Sequence, residues 1–572
     1  MNTERFTLGL VLFCYLLLSI LFSSNFFSFA NLGSHCMTNG DPALNAWALA
    51  WVSRSITTDP LNLFNGNAFY PHPGSIALSE HMFSLAVINT VFRLVSTNPW
   101  VGYNLLILLS YFLSCAGGFL LVKELTWSLG AGFWGGIFWG FLFFRVHHIG
   151  HIQILSYQWI PFLVLYLIRL VQKHDLKNAL LFTLFFLLQA LVSWYLAVIS
   201  TFIAIIIAIF CFKKENFASK NIKNYLTILA VCGVVIAPFA WPYFGSMKDS
   251  SLSFRLQQAA NLSDLVSLRD YLTPPNATIL GQLIPNNKYW IWQENTLYIG
   301  YVPLLLTALY LVFFFAFGHS SRFKSSTETV RRCVYASLAL IIVGFILALG
   351  FASAELGVKL PLFYLSNFFS FVGLMRATQR FSLMIYTGIL IISGISLAAA
   401  LTLIKAPVFR VLLPVLLSGI FLLEVYPFKL PISPKNEYRY SEIDQFIAEY
   451  QQTTGKRFAV LHYPIYYFIQ KYPVSEAKYM VDSTLHWAKI VNGFSAELPT
   501  GFIENMRVLH TIPSQESITL IRKWDIDLIA VHAQTRSDAK EEIRNHFSTS
   551  RKGKILQVND QEFIIHLEKN RQ

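Results

Sequence analysis

The sequence predicts an α-helical polytopic membrane protein with about eleven transmembrane helices and a soluble α/β domain at its C-terminus. Three observations carry this. Of the 572 residues, 55% are hydrophobic and 13% charged, roughly half the charged share of an ordinary soluble domain, so water is not the solvent for most of the chain. Apolar runs long enough to approach a bilayer crossing recur from residue 6 to residue 427. After residue 428 the composition turns mixed and the periodicities become those of a small water-soluble domain.

The first run, Phe6 to Phe27, follows Arg5 and ends near Ser28-Phe29-Ala30, which imitates a signal-peptidase site. Its length favours an uncleaved helix over a signal sequence, whose apolar region is shorter. Further runs lie at 82–97, 103–122, 131–144, 157–171, 179–192, 194–212, 224–244, 298–317, 333–353, 381–404 and 408–427. The basic clusters Lys213/Lys214/Lys220/Lys223, Arg322/Lys324/Arg331/Arg332 and Lys405/Arg410 sit in short connections, which places them on the cytoplasmic side. With the N-terminus also inside, residues 30–80, 246–297 and 354–380 become external loops. Parity then requires one run between 82 and 171 not to cross. The choice falls on 131–144, which is short and interrupted by Gly132, Gly135, Gly136 and Gly140, the pattern of a partial or re-entrant helix. Residues 145–158 then face outside with the other loops.

These boundaries divide the chain into a transmembrane part, 1–428, and an extracytoplasmic α/β part, 429–572. Pro427, Pro431 and Pro434 end the last helix and start the linker. Beyond them, Tyr440-Ser441-Glu442-Ile443-Asp444 has a capping-box-like start to an amphipathic helix. Arg457–His462, Asp527–His532 and Phe563–Leu567 have strand character, flanked by helical stretches near 515–524 and 537–547.

The net charge of +13 raises the question of a nucleic-acid partner. Residues 1–428 carry 25 Lys and Arg against 14 Asp and Glu, whereas residues 429–572 carry 19 against 17. The excess thus belongs to membrane-flanking loops, and no basic tract with interleaved aromatics exists, so no nucleic-acid partner is expected. Six scattered cysteines, of which only Cys36 falls outside or away from the apolar stretches, imply no disulfide framework. No Walker loop, dinucleotide glycine motif or Cys-x-x-Cys is present in a fitting context, so a donor for chemistry outside the membrane must arrive on a lipid.

The external segments carry the residues suited to chemistry. Asp41-Pro42 opens the first loop, which continues through Asn67-Ala68-Phe69-Tyr70-Pro71 to Ser79-Glu80-His81. The next holds Arg145-Val146-His147-His148-Ile149-Gly150-His151 and Gln158-Trp159-Ile160-Pro161, and the later ones hold Glu294, Leu374-Met375-Arg376-Ala377-Thr378-Gln379-Arg380 and, in the tail, Asn492-Gly493-Phe494-Ser495. In these motifs the sequence resembles the GT-C superfamily of membrane glycosyltransferases, and bacterial proteins similar to its lipopolysaccharide-core enzymes. The resemblance implies an inverting hexosyl or pentosyl transferase in the inner membrane, moving a sugar from a polyprenyl-phosphate donor to a glycan, lipid or protein acceptor. It carries the acidic residue of the first external loop onto Asp41, as general base or acceptor-orienting carboxylate; an Asp-Pro turn or cap is the structural alternative.

Where many GT-C enzymes have a second acidic residue, this chain has His147, His148 and His151. His147 and His151, spaced i,i+4, would share a helical face and could hold a divalent metal; hydrogen bonding to sugar or phosphate is the other use. Glu80 and His81 have the same ambiguity. Arg376 and Arg380 are also i,i+4 and suit a leaving phosphate, since guanidinium stays charged and donates as a fork; snorkelling to headgroups is their alternative. Asp264, Asp270 and Glu294 are weaker candidates because loop carboxylates are usually just solvated, and Trp290 and Trp292 either stack on sugar or anchor the interface. A flippase for a lipid-linked glycan would place polar residues in mid-membrane and show internal repeats, and the chain shows neither. A non-catalytic envelope scaffold is the third reading.

Overall fold

Apolar runs in lipid have no water to satisfy their peptide groups, so each must close its hydrogen bonds internally as helix. The computed structural model describes residues 2–35, 37–213, 219–248, 266–285, 287, 294–317, 328–353, 358–368, 375, 377–428, 430, 436–471, 473–549 and 553–568. Cys36, Lys214, Asp264, Trp290, Trp292, Arg322, Lys324 and Arg376 lie outside the described residues. Among the described residues, nine helices are long and apolar enough to cross a membrane, and Phe83–Phe92, Leu176–Ala190 and Tyr301–Ala316 are apolar but shorter. The chain divides into two compact units. One comprises Met1–Phe26, Ile107–Trp241 and Ser250–Ile432, and the other Phe27–Leu106, Pro242–Asp249 and Ser433–Gln572.

The first unit is a helical bundle. Its most enclosed members are Leu129–His147 and Thr378–Leu403, each 83% buried over its apolar window, whereas Asn221–Phe244 has none of its window buried. Ser382–Leu403 packs against Glu328–Ala348, Tyr301–Phe317 and Leu129–Gly140. The stretch 131–144, expected from its glycines to be a partial helix, is longer than the sequence suggested. Helix Leu129–Gly140 breaks at Phe141 and Leu142 and resumes as Phe143–His147, and Leu129–His147 together is long enough to span. The glycines taken as interruptions are close-packing positions: a Cβ on Gly136 would fall on the Tyr15 hydroxyl and the Cys115 carbonyl. Membrane helices associate through such small residues because lipid offers no hydrophobic drive between them. Within 82–171, the run 82–97 has the shortest apolar helix, Phe83–Phe92, with ten residues.

The second unit joins the first external loop to the C-terminal segment. A five-stranded sheet has the order Lys489–Ile490, Ala459–Tyr463, Leu528–Val531, Phe563–Leu567, Gly553–Gln557. The first three strands are parallel and the last two antiparallel, with Val460 opposite Leu528 and Val531 opposite Phe563. Half of the expected capping box is realised: Ser441 Oγ accepts the Asp444 amide at 3.1 Å and donates to the Asp444 carboxylate, and helix Glu442–Thr454 follows. Residues 27–106 belong to this unit through specific backbone pairing. Ser34–His35 pairs antiparallel with Asn436–Glu437. The Phe69 amide donates to the Asn492 carbonyl at 3.1 Å, and the Ile490 amide to the Asn67 carbonyl at 2.7 Å. The Asn67 side chain, buried, donates to Ser483 Oγ and the Ala488 carbonyl and accepts from Trp47 Nε1.

Candidate functional site

Four of the residues singled out in the sequence meet in the first unit. Glu294 Oε1 accepts from Arg380 Nη2 at 2.8 Å, while Glu294 Oε2 lies 3.4 Å from His148 Nε2 and 4.0 Å from His147 Nε2. One ligand atom of each of His147, His148 and Glu294 lies within 4.8 Å of the others, the spacing a shared cation needs. Burial pushes the Glu294 carboxyl up, and the Arg380 guanidinium is the largest of the influences that bring it well below the usual carboxylate range. Burial also lowers His148, more than Glu294 raises it, so its imidazole is neutral.

The tautomer of His148 follows from its other nitrogen. Nδ1 lies 2.9 Å from the Phe144 carbonyl, which can only accept, so Nδ1 carries the proton and Nε2 presents a lone pair. That lone pair faces a carboxylate oxygen, and neither His148 Nε2 nor Glu294 Oε2 has a hydrogen-bond partner although both are buried. Two acceptors turned toward each other repel unless a cation or a donor group comes between them. Arg380 is fixed from its other side by Tyr195, whose ring centre lies 4.5 Å from the guanidinium carbon.

The turn that delivers the histidines is pinned by buried polar residues. Arg145 donates to Ser110 Oγ at 2.9 Å and to Ser114 Oγ, and lies 4.1 Å from the Tyr157 ring centre. Ser110 donates in turn to Gln158 Oε1 at 2.7 Å, and Gln189 bridges the Ser156 carbonyl and the Trp159 amide. Each bond satisfies a group that would otherwise be stranded in an apolar bundle, so the irregular stretch after His147 is held rather than loose.

No protein-family model matches the chain, and no curated protein does. Solved structures do. The cryo-EM structure of the arabinofuranosyltransferase AftD from mycobacteria matches with a TM-score of 0.54 at 12% identity, over 98% of this chain and 40% of that one. A mutant form of the same protein matches with a TM-score of 0.54 at 11% identity, over 99% and 42%. This chain has the GT-C fold. It spans less than half the length of that arabinofuranosyltransferase. The Archaeoglobus fulgidus oligosaccharyltransferase matches more weakly, with a TM-score of 0.47 at 11% identity over 92% of this chain and 69% of that one.

The fold and the apolar helices together make this chain a multi-pass membrane protein. Within it, the remaining sequence candidates are placed as follows. His151 does not share a helical face with His147, because the helix ends at His147 and His151 precedes the next turn, Ile152–Leu155; its ring centre is 6.1 Å from that of His148. The pair that converges is therefore the consecutive one, His147 and His148. Arg380 stands in the turn Thr378–Phe381, buried, so the headgroup-snorkelling alternative does not describe it. Asp41, Glu80 and His81 belong to the second unit. Asp41 is exposed as the first residue of helix Asp41–Thr58, whose N-cap is Gly40, so Asp41 is not itself the cap. His81 is buried, and its Nδ1 accepts the Phe83 amide at 3.0 Å.

The structure also adds residues the sequence did not single out as site candidates. Tyr195 stacks on Arg380, and Gln379 Nε2 donates to Asn295 Oδ1 at 3.0 Å. That bond joins the neighbours of Arg380 and Glu294 and reinforces their pairing. Sequence adjacency to the two charged residues was the signal that could have found Gln379 and Asn295, while Tyr195 is distant in sequence from both.

Proposed function

We propose that this GT-C chain is an inverting glycosyltransferase that moves a sugar from a polyprenyl-phosphate-linked donor to a glycan, lipid or protein acceptor outside the cytoplasmic membrane. The observation that supports it most is the cluster of His147, His148, Glu294 and Arg380, with two unsatisfied buried acceptors beside a fixed guanidinium. In the reaction, an acceptor hydroxyl attacks C1 of the sugar, the C1–O bond to phosphate breaks, and the lipid phosphate leaves with the bonding electrons. Arg380 would lower the cost of that developing charge through the donors it does not give to Glu294. Asp41, the carboxylate to which the resemblance points, is our choice for the group that takes the hydroxyl proton, and it is exposed at the start of its helix.

A divalent metal fits the donor set. His148 Nε2 and Glu294 Oε2 are unprotonated, unsatisfied and turned to one point, and His147 Nε2 is close to it. His147, His148 and Glu294 would hold the ion, which would supply positive charge for the departing phosphate. The Phe144 carbonyl keeps His148 in the tautomer this requires.

The orientation rests on the positive-inside rule and on the lengths of the apolar helices. With the N-terminus inside, Phe6–Ser23 leads out, Phe83–Phe92 does not cross, and Pro99–Thr126 returns toward Lys123. Leu129–His147 then leads out and Ile152–Lys173 back in, so exchanging the failed crossing leaves residues 145–158 outside as before. Deleting the gene and identifying the polyprenyl-linked sugar that accumulates tests the function. Restoration by the wild-type chain but not by Glu294→Gln supports the proposal; no accumulating lipid-linked sugar contradicts it.

A further inference from the structure

Helix Phe83–Phe92 and the residues after it expose an apolar stripe that nothing in the second unit covers. The face buried within that unit mixes Leu85 and Ala86 with Ser84 and Asn89, and Asn89 Nδ2 donates to Ser53 Oγ at 2.9 Å. The outward face carries Val87, Val91, Leu94 and Val95 at helical spacing, and Leu94 and Val95 are 85% and 83% exposed. A contiguous exposed apolar stripe on a helix is the arrangement of an element that contacts lipid.

Beside this stripe stand two arginines without anions. Arg54 and Arg93 both lie over the half-buried Trp487, their guanidinium carbons 5.2 and 5.8 Å from its ring centre. Neither guanidinium makes an ion pair among the described residues, and Arg93 Nη1 is buried with no hydrogen-bond partner. The neighbouring cations reinforce one another, Arg457 acting on Arg54 and Arg54 on Arg93, while the Tyr440 phenol acts on Arg93 in the opposite sense. Two like charges brought to one indole, with a third nearby, call for an anion.

Chain connectivity says where that anion comes from. Pro99 begins the membrane span Pro99–Thr126, only six residues after Arg93, and six extended residues reach at most ~20 Å. We infer that Arg54, Arg93 and Trp487 form a site for the phosphate of an anionic bilayer lipid, with Val87, Val91, Leu94 and Val95 lying in the acyl boundary beside it. The inference needs the multi-pass reading of the chain and is independent of sugar transfer.

The test titrates the full-length protein in detergent with phosphatidylglycerol or phosphatidylcholine and counts retained lipid by native mass spectrometry. Wild type should prefer phosphatidylglycerol by about thirtyfold, the factor that two basic residues supply at an anionic surface. Arg54→Gln/Arg93→Gln should erase the preference while the melting temperature stays near wild type. Leu94→Gln/Val95→Gln, at exposed positions that cannot disturb the core, should weaken retention of both lipids alike and leave the preference intact. An unchanged preference in the arginine variant overturns the inference. So does full lipid retention in the Leu94/Val95 variant, which decides the matter if the arginine variant does not fold. Displacement of phosphatidylglycerol by millimolar inorganic phosphate would assign the site to a free phosphate group and likewise overturn the lipid claim.

Discussion

Removing the Glu294 carboxylate should destabilise the membrane unit through Arg380, by an amount the geometry sets. The two side chains meet at 2.8 Å, with Arg380 9% exposed and Glu294 31%. Breaking a buried ion pair by removing one partner costs about 3–5 kcal/mol, because the remaining charge is stranded. Water reaches Glu294, which puts this pair at about 2–3 kcal/mol. Glu294→Gln keeps an acceptor near Arg380 but no compensating charge, so it should show most of that loss. Arg380→Met removes the stranded charge, so the double variant should be more stable than the sum of the single losses by about 2 kcal/mol. Equilibrium unfolding of the four proteins in mixed micelles, with chelator present to exclude any metal contribution, measures the coupling. Additivity within about 0.5 kcal/mol would refute the pairing on which the site is built.

Three further outcomes are expected. Asp41→Asn should lower turnover by roughly two to four orders of magnitude while costing the helix only about 0.3–1 kcal/mol of dipole interaction, since Gly40 and not Asp41 is the cap; near wild-type turnover in a stable variant removes Asp41 from catalysis. Asn67→Ala leaves the buried Trp47 N–H and Ala488 carbonyl without partners, so hydrogen exchange should report a loss of about 3 kcal/mol in the second unit; unchanged protection there contradicts the assignment of residues 27–106 to it. Burial pushes the Glu476 carboxyl up to about 8. The folded chain thus keeps a proton that the unfolded chain loses near pH 4.5, and this group's contribution falls as pH rises to about 8 and is flat above, by about 1.4 kcal/mol per pH unit. Glu476→Gln never ionises and should remove that slope; identical pH profiles for the two proteins would show that Glu476 is ionised in the fold.

The bundle was legible because apolar runs in lipid have one local solution, helix. What hydrophobicity could not rank was which run fails to cross. In Leu129–His147 the glycines lower the apparent strength of the run, yet Gly136 is small because Tyr15 and Cys115 approach it. In 82–97 the apolar residues raise it, yet the helix ends at Phe92 and shows Val91, Leu94 and Val95 outward. Strands 459–463, 528–531 and 563–567 were visible from their β-branched runs, while Lys489–Ile490 and Gly553–Gln557 were too short or too polar to stand out. The site was legible residue by residue but not as a constellation. Glu294 looked like a solvated loop carboxylate because its partners His148 and Arg380 are far away in sequence, and the i,i+4 reading of His147 and His151 assumed a helix that stops at His147.

The most direct test of the account is sugar transfer by the purified chain reconstituted with a polyprenyl-phosphate sugar isolated from the native membrane. The wild-type chain should release polyprenyl phosphate and glycosylate an acceptor from the same envelope, and Glu294→Gln and Arg380→Lys should each bind donor poorly or turn it over at least about tenfold more slowly, since neither restores the charge and fork geometry of the cluster. Transport of the intact lipid-linked sugar across the bilayer with no cleavage of its C1–phosphate bond, unaffected by either substitution, would contradict it.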